Sequence, residues 1–314
     1  MGSPALDELP RPATSESGWP WTRAEGRRAV AAEDIVWPKV SIVTPSYNQG
    51  RFIERTIRSV LLQDYPNLEY IIIDGGSRDE SLDVIRKYEP WLTYCVSEPD
   101  RGQSHAINKG LGRAKGVVLS WLNSDDLLLP GALTDVVTLR RKHPQAVAWV
   151  GACYRINPDG RILSTAIPRS LGRDEIADWS HQGWFYQPSC YFAAEAWHRA
   201  GYLDEDLHYA FDVDLWIRLA EFGPFASTHR VLSAATIHDE AKTQVGRAQM
   251  HAEIAAVQIK HGYQDVAVAK LARLLEQSSL KSRVKGVLRR TLTSLVRQSA
   301  FWHQHDKVRD IKQL

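Results

Sequence analysis

Between Lys39 and Leu122 the chain alternates four short apolar runs with three segments of helical periodicity, and every run breaks off into polar residues. The runs are Lys39–Pro45 (KVSIVTP), Glu69–Asp74 (EYIIID), Thr93–Glu98 (TYCVSE) and Val117–Leu122 (VVLSWL). Runs this short, closed by turn residues, suit strands. Arg51–Gln63 sets Phe52, Ile53, Ile57, Val60 and Leu61 at helical spacing, and further helices are predicted from about Asp79 to Tyr88 and about Gln103 to Arg113. This β-α-β-α-β-α-β order predicts an α/β fold built on a mostly parallel sheet with helices on both faces. Such sheets bind ligands beyond the carboxyl ends of their strands. The polar clusters fall there: Thr44–Gln49, Asp74–Asp79, Glu98–Gln103 and Asn123–Asp126.

The last cluster carries the most chemistry. In Leu119–Pro130 (LSWLNSDDLLLP) two adjacent carboxylates stand between apolar flanks. Neighbouring carboxylates repel and are costly to bury without a compensating positive charge. Oxygen ligands at a strand end suit a hard divalent cation that shares its shell with substrate phosphates, so Mn2+ or Mg2+ is the expected cofactor. The plainer alternative is a helix start, with Asp as N-cap and Pro130 in the first turn.

Composition narrows the class. The 314 residues are 44% hydrophobic and 24% charged, ample for a packed core. A formal net charge of +2 gives no support to a nucleic-acid partner. No stretch approaches the roughly 18 uninterrupted apolar residues of a membrane span. Three scattered cysteines (Cys95, Cys153, Cys190) form no disulfide framework. The first twenty residues lack the basic start and apolar middle of a secretory signal, and a cytoplasmic location is expected.

Residues 1–36 read as a flexible Pro/Ser-containing arm, 37–245 as the main domain, and 246–314 as a basic C-terminal helical extension with Lys281, Arg283, Lys285, Arg289, Arg290 and Arg297. That basic character raises peripheral contact with an anionic membrane, and packing on the domain or on a second subunit is the competing reading. Within 37–245, a helix is predicted around Pro130–Lys142, strands over Ala146–Ile167 with a turn at Pro158–Gly160, and helices over Glu195–Gly201 and Asp212–Gly223.

Four blocks in this order resemble the family 2 glycosyltransferases, inverting enzymes with the Rossmann-like GT-A fold. They are SIVTPSYNQGRFIERTIRSVLLQDYPNLEYIIIDGGSRDES, SEPDRGQSHAINKGLGRAKGVVLSWLNSDDLLLPGAL, GYLDEDLHYAFDVDLWIRLAEFG and IHDEAKT. The resemblance spans about Val40 to Thr243 and implies transfer of a sugar from a nucleotide diphosphate donor, UDP-linked by preference, to a hydroxyl of a glycan or lipid-linked acceptor. It implies that Thr44, Pro45, Tyr47, Asn48, Asp74, Asp100, Gly102, Asn108, Asn123, Ser124 and Asp125 line the nucleotide-sugar site, with Arg101 or Lys109 adding charge near the diphosphate. Asp126, with Asp125 secondary, and His238 are implied as metal ligands. Lys242 is implied at phosphate, and Trp184, Tyr186 and Gln187 at the acceptor. The family's acidic segment falls on Phe211-Asp212, making Asp212 the expected general base, with Asp214 competing.

Two departures stand out: Gly75 replaces a second aspartate after Asp74, and Asn123 replaces the first acidic residue of an Asp-x-Asp motif. They keep open a decayed carbohydrate-binding or scaffold protein. A sugar-phosphate nucleotidyltransferase would need a glycine-rich basic loop after the first strand, where TPSYNQG has one glycine and no lysine.

Overall fold

The computed structural model describes residues 2–12, 16–24, 36–169, 171–179, 185–239, 242 and 246–277. The four predicted strands are present as β1 (Val40–Ser46), β2 (Leu68–Asp74), β3 (Tyr94–Ser97) and β4 (Val118–Trp121). They pair in parallel in the order β3-β2-β1-β4. The register sets Ser46 beside Asp74 and Asp74 beside Ser97, so the strand exits end level. The connecting helices are α1 (Gly50–Leu61), α2 (Ser81–Tyr88) and α3 (Gln103–Leu111).

Every residue of β1 and β2 is buried, as central parallel strands covered on both faces must be. Strand alternation sorts their side chains into two cores. Val40, Ile42, Tyr70 and Ile72 join Ile53, Ile57 and Ile85 from α1 and α2 on one side. Val43, Ile71 and Ile73 join Ala106, Ile107 and Leu111 from α3 on the other. α3 presses so closely on the sheet that a Cβ at Gly110 would stand 2.3 Å from Val43 Cγ1.

α4 (Ala132–Lys142) starts two residues beyond Pro130. β6 (Ala148–Ile156) and β7 (Ile162–Ala166) form the expected hairpin, with Gly160 in the left-handed region at φ 82°. Three strands had no sequence expectation: β5 (Leu127–Leu128), β8 (Cys190–Ala193) and β9 (Phe225–Thr236). They extend the sheet to nine strands, β3-β2-β1-β4-β8-β6-β9-β5 with β7 beside β6. β8 runs antiparallel to β4 and β6, and β9 runs parallel to β6 and antiparallel to β5. The remaining helices are α5 (Arg173–Ala177), α6 (Ala194–Ala200), α7 (Phe211–Leu219), α8 (Arg247–Lys260) and α9 (Gln264–Gln277).

Both ends of the described chain are packed onto this body. The buried Arg58 of α1 donates to the carbonyls of Pro10 (2.9 Å), Pro20 (3.1 Å) and Trp21 (3.1 Å), fastening residues from the segment read as an arm. Ile254 and Val257 of α8 are buried in the second core. The basic residues from Lys281 to Arg297 lie outside the described residues. Among the described residues no helix is long and apolar enough to cross a membrane.

Candidate functional site

The level strand exits open into one cleft of about 1100 Å³. Its floor is the end of β4 and the turn that follows. Gln103, the first residue of α3, donates from Nε2 to Asn123 Oδ1 at 2.8 Å, and its Oε1 lies 3.3 Å from Lys242 Nζ. Asn123 Nδ2 donates to Asp126 Oδ2 at 3.3 Å. Asp126 Oδ1 accepts from the Thr236 amide at 3.0 Å, and Arg55 of α1 donates to Thr236 Oγ1 at 3.1 Å. One hydrogen-bonded chain thus ties α3, the β4 exit, the end of β9 and α1 beneath the cleft. Gln103 had no sequence-level role; its position directly after Asp100-Arg101-Gly102 was the signal available.

Asp125 and Asp126 have different surroundings. Asp126 is 5% exposed, and burial, then the neighbouring Asp125 charge, pushes its carboxyl well above the ordinary range. Both of its oxygens face protein donors. Asp125 Oδ2 instead lies 3.0 Å from His238 Nε2, and both side chains line the cleft. The imidazole is held against Phe52, ring centroids 4.8 Å apart. His238 therefore meets Asp125, not the Asp126 with which the sequence reading paired it. A carboxylate and an imidazole side by side fit a divalent cation that draws its other ligands from a diphosphate. Among the described residues no group of three or more His, Cys, Asp or Glu forms a metal cage by itself.

Asp212 is the second residue of α7. It lines the cleft while dense protein surrounds it, and burial raises its carboxyl to about 6 against the pull of the Val213 amide and Lys242. Lys242 Nζ stands 5.5 Å from the ring centres of Tyr209 and Phe211. Asp214, the competing residue, is turned the other way. Its side chain is 1% exposed and bound by Arg218 (2.9 Å), Lys260 (3.1 Å) and His261 (2.9 Å). Despite its burial, these partners hold the carboxyl far below the usual range. Asp214 joins α7 to α8 and does not line the cleft.

Of the other residues singled out in the sequence, Pro45, Tyr47, Asp100, Gly102, Ser124, Tyr186 and Gln187 also line the cleft. Four expected there do not. Thr44 is buried within β1 against the Tyr70 hydroxyl at 3.0 Å. Asn48 spends its amide on Ser77 Oγ and its Oδ1 on the Arg78 amide, which joins two strand-exit loops. Asn108 is locked to Leu203 by reciprocal bonds of 2.9 and 3.0 Å. Asp74 is fully buried and accepts from the amides of Gly76 and Ser77 and the hydroxyls of Ser77 and Ser97. Its work is to build the turn, the alternative that Asp favours in such loops. Arg101 and Lys109 are paired with Glu205 and Glu98 outside the cleft. Gln187 donates to the Trp121 carbonyl at 2.7 Å, a structural bond at the cleft wall. Trp184 lies outside the described residues.

The two sequence departures now have physical reasons. A Cβ at Gly75 would stand 2.6 Å from Asp100 Oδ2, so the absent side chain makes room for the Asp100 carboxylate, anchored by the Gly102 amide at 2.8 Å. Asn123, able both to donate and to accept, links Gln103 to Asp126 as an aspartate could not.

The chain is similar to known glycosyltransferases. The model of the family described as Glycosyl transferase family 2 matches residues 41–193. An uncharacterised glycosyltransferase of Rickettsia typhi is 28% identical over 224 residues, covering 68% of each chain. The structure of TarS residues 1–349 from S. aureus in complex with UDP-GlcNAc superposes with a TM-score of 0.57 at 18% identity, covering 79% of this chain and 69% of that one. A mannosyltransferase from Pyrobaculum calidifontis in complex with GDP-Man and Mn2+ gives 0.56 at 20% identity, covering 84% and 83%. Residues 41–193 thus match glycosyltransferase family 2, and this architecture and these relatives support an enzyme of that family, with a GT-A fold and a nucleotide-sugar donor.

Proposed function

We propose that this glycosyltransferase is metal-dependent and inverting, and moves a sugar from a UDP-linked donor to a hydroxyl of a glycan or lipid-linked acceptor. The observation that carries this reading is the placement of Asp212 in the same cleft as the Asp125–His238 pair. Asp125 and His238 would hold Mn2+ or Mg2+, which when bound offsets the charge that grows on the departing diphosphate. Asp125 thereby takes the part first given to Asp126, which also lines the cleft but has both oxygens engaged by Asn123 and the Thr236 amide. Asp100 and Gly102 face the nucleotide, with Tyr47, 59% exposed, at the mouth. UDP and GDP donors both occur among the fold relatives, and a UDP-linked donor is the reading proposed here.

Asp212 receives the proton of the acceptor hydroxyl as the oxygen attacks the anomeric carbon from the face opposite the diphosphate. The bond to the leaving oxygen breaks and its electron pair departs with the nucleotide. A carboxyl raised to about 6 is ionised at neutral pH yet more basic than an ordinary aspartate, which suits this task. Lys242, between Gln103 and Asp212, lies close enough to stabilise either the departing charge or the ionised base.

The reading as a decayed binding protein rested on positions 75 and 123, and both have defined roles in the cleft. Asp212→Asn tests the proposal. Donor affinity should stay within about twofold while transfer falls by about 10²- to 10⁴-fold; undiminished turnover would place the base elsewhere. A cytoplasmic location and peripheral membrane contact through the basic residues 281–297 belong to the same proposal, while the bonds of Arg58 to Pro10, Pro20 and Trp21 and the burial of Ile254 and Val257 tie part of the arm and the start of the extension to the main domain.

A further inference from the structure

Arg155 lies near the end of β6, opposite Ala235 in the β6–β9 register, and lines the same cleft. Its Nε is buried and makes no hydrogen bond, and among the described residues no carboxylate pairs with its guanidinium. Arg78, which also lines the cleft, is exposed to solvent, and two arginines near the cleft are already paired. Arg55 is spent on Pro158 and Thr236, and Arg101 on Glu205. A guanidinium donor removed from water with no acceptor is costly, and its retention at a cleft wall calls for a partner that arrives with a ligand.

The surroundings indicate which ligand. Asp125, His238 and Lys242 already supply what a nucleotide diphosphate requires. Arg155 instead neighbours Tyr186: burial raises that phenol while the Arg155 charge draws it back. Tyr186 and Gln187 precede β8, on the flank to which the acceptor was assigned. Guanidinium presents a planar fork matched to carboxylate or phosphate oxygens.

We infer that Arg155 is a specificity residue that binds an anionic group, a carboxylate or a phosphate, on the acceptor. This rests on the reading of the cleft as a transferase site with the acceptor on the Tyr186 flank. An acceptor of this class would be a uronic-acid-containing glycan or a phosphate-linked polyol, and neutral saccharides would be poor substitutes.

The test uses the full chain with saturating UDP and Mn2+, and measures binding of D-glucuronate, glycerol 1-phosphate and D-glucose by ligand-observed NMR. Wild type should bind one or both anions at least tenfold more tightly than glucose. Arg155→Gln should lose that preference, Arg155→Lys should recover part of it, and UDP affinity should be unchanged in both variants. Glucuronate against glycerol phosphate separates the two sources of the anion. Equal binding of anions and glucose by wild type, or anion binding unaffected by Arg155→Gln, would overturn the inference. So would a loss of UDP affinity in Arg155→Gln, which would move the residue to the donor side. Failure of wild type to bind UDP with Mn2+ would instead sink the reading of the site itself.

Discussion

Single carboxyl groups decide most of what this cleft can do, and three aspartates in it have been sorted by their neighbours. Asp212 is raised to about 6 by burial, so its ionised, proton-accepting form is lost as pH falls through that value. The turnover rate at saturating substrate should therefore drop about tenfold per pH unit below about 5, with the inflection near 6 moved or removed in Asp212→Glu. A profile flat down to pH 5 would show that another group accepts the proton. Asp125 and Asp126 should separate just as cleanly. Asp125→Ala should weaken Mn2+-dependent UDP binding while leaving the melting temperature near that of wild type. Asp126→Ala leaves the Thr236 amide unpaired in a buried place and should cost about 1–3 kcal/mol of stability. Calorimetric titration of UDP with and without Mn2+, beside thermal unfolding of both variants, checks the pair. Reversal of the two outcomes would return the cation to Asp126.

At the scale of elements, the position of Asp212 depends on how α7 begins. Helix starts expose amides without intrahelical partners. Here Glu253, from the middle of α8, accepts from the amides of His208 (3.1 Å), Tyr209 (2.6 Å) and Ala210 (3.0 Å), just ahead of Phe211. Glu253→Ala should lower stability by about 1–3 kcal/mol and reduce turnover more than it changes donor affinity, with Glu253→Gln recovering part of both. A loss of stability without a loss of turnover would free Asp212 from this cap. The same contact shows where sequence reading reaches its limit. The four parallel strands and their helices were legible because each announces itself by local periodicity and a polar exit. The cap on α7 was not, because its acceptor comes from more than forty residues away. β9 hid for a related reason: its first part is largely exposed and its last five residues are all buried, so no alternation marks it. Asp212 could be singled out by resemblance, but its separation from Asp214 needed the partners of each. Asp74 looked like a ligand because a turn-building aspartate and a ligand-binding one occupy the same strand exit.

For the whole molecule, the cleft is a product of two cores that share one sheet. The core formed with α1, α2 and α4 supports the turn at Asp125–Asp126, since Thr56 of α1 donates to the carbonyls of Ser124 and Asp126 at 2.8 Å each. The core formed with α3, α7 and α8 supports Asp212, and it includes Ile254 and Val257 from beyond the span the sequence assigned to the main domain. Burying one such aliphatic side chain is worth about 1.5–3 kcal/mol, and Glu253 with the Lys260 and His261 bonds to Asp214 adds polar ties along the same helix. The described part of the extension is therefore structural for the half of the cleft that holds Asp212. A chain ended after Val245 should lose more than its share of stability: the second core would expose apolar surface, and Asp214 would keep Arg218 while losing Lys260 and His261. Urea unfolding of that truncation should show a midpoint well below that of the full chain, together with loss of transfer. If this truncation unfolds like the full chain and still transfers sugar, α8 is an appendage and Asp212 is placed by α7 alone.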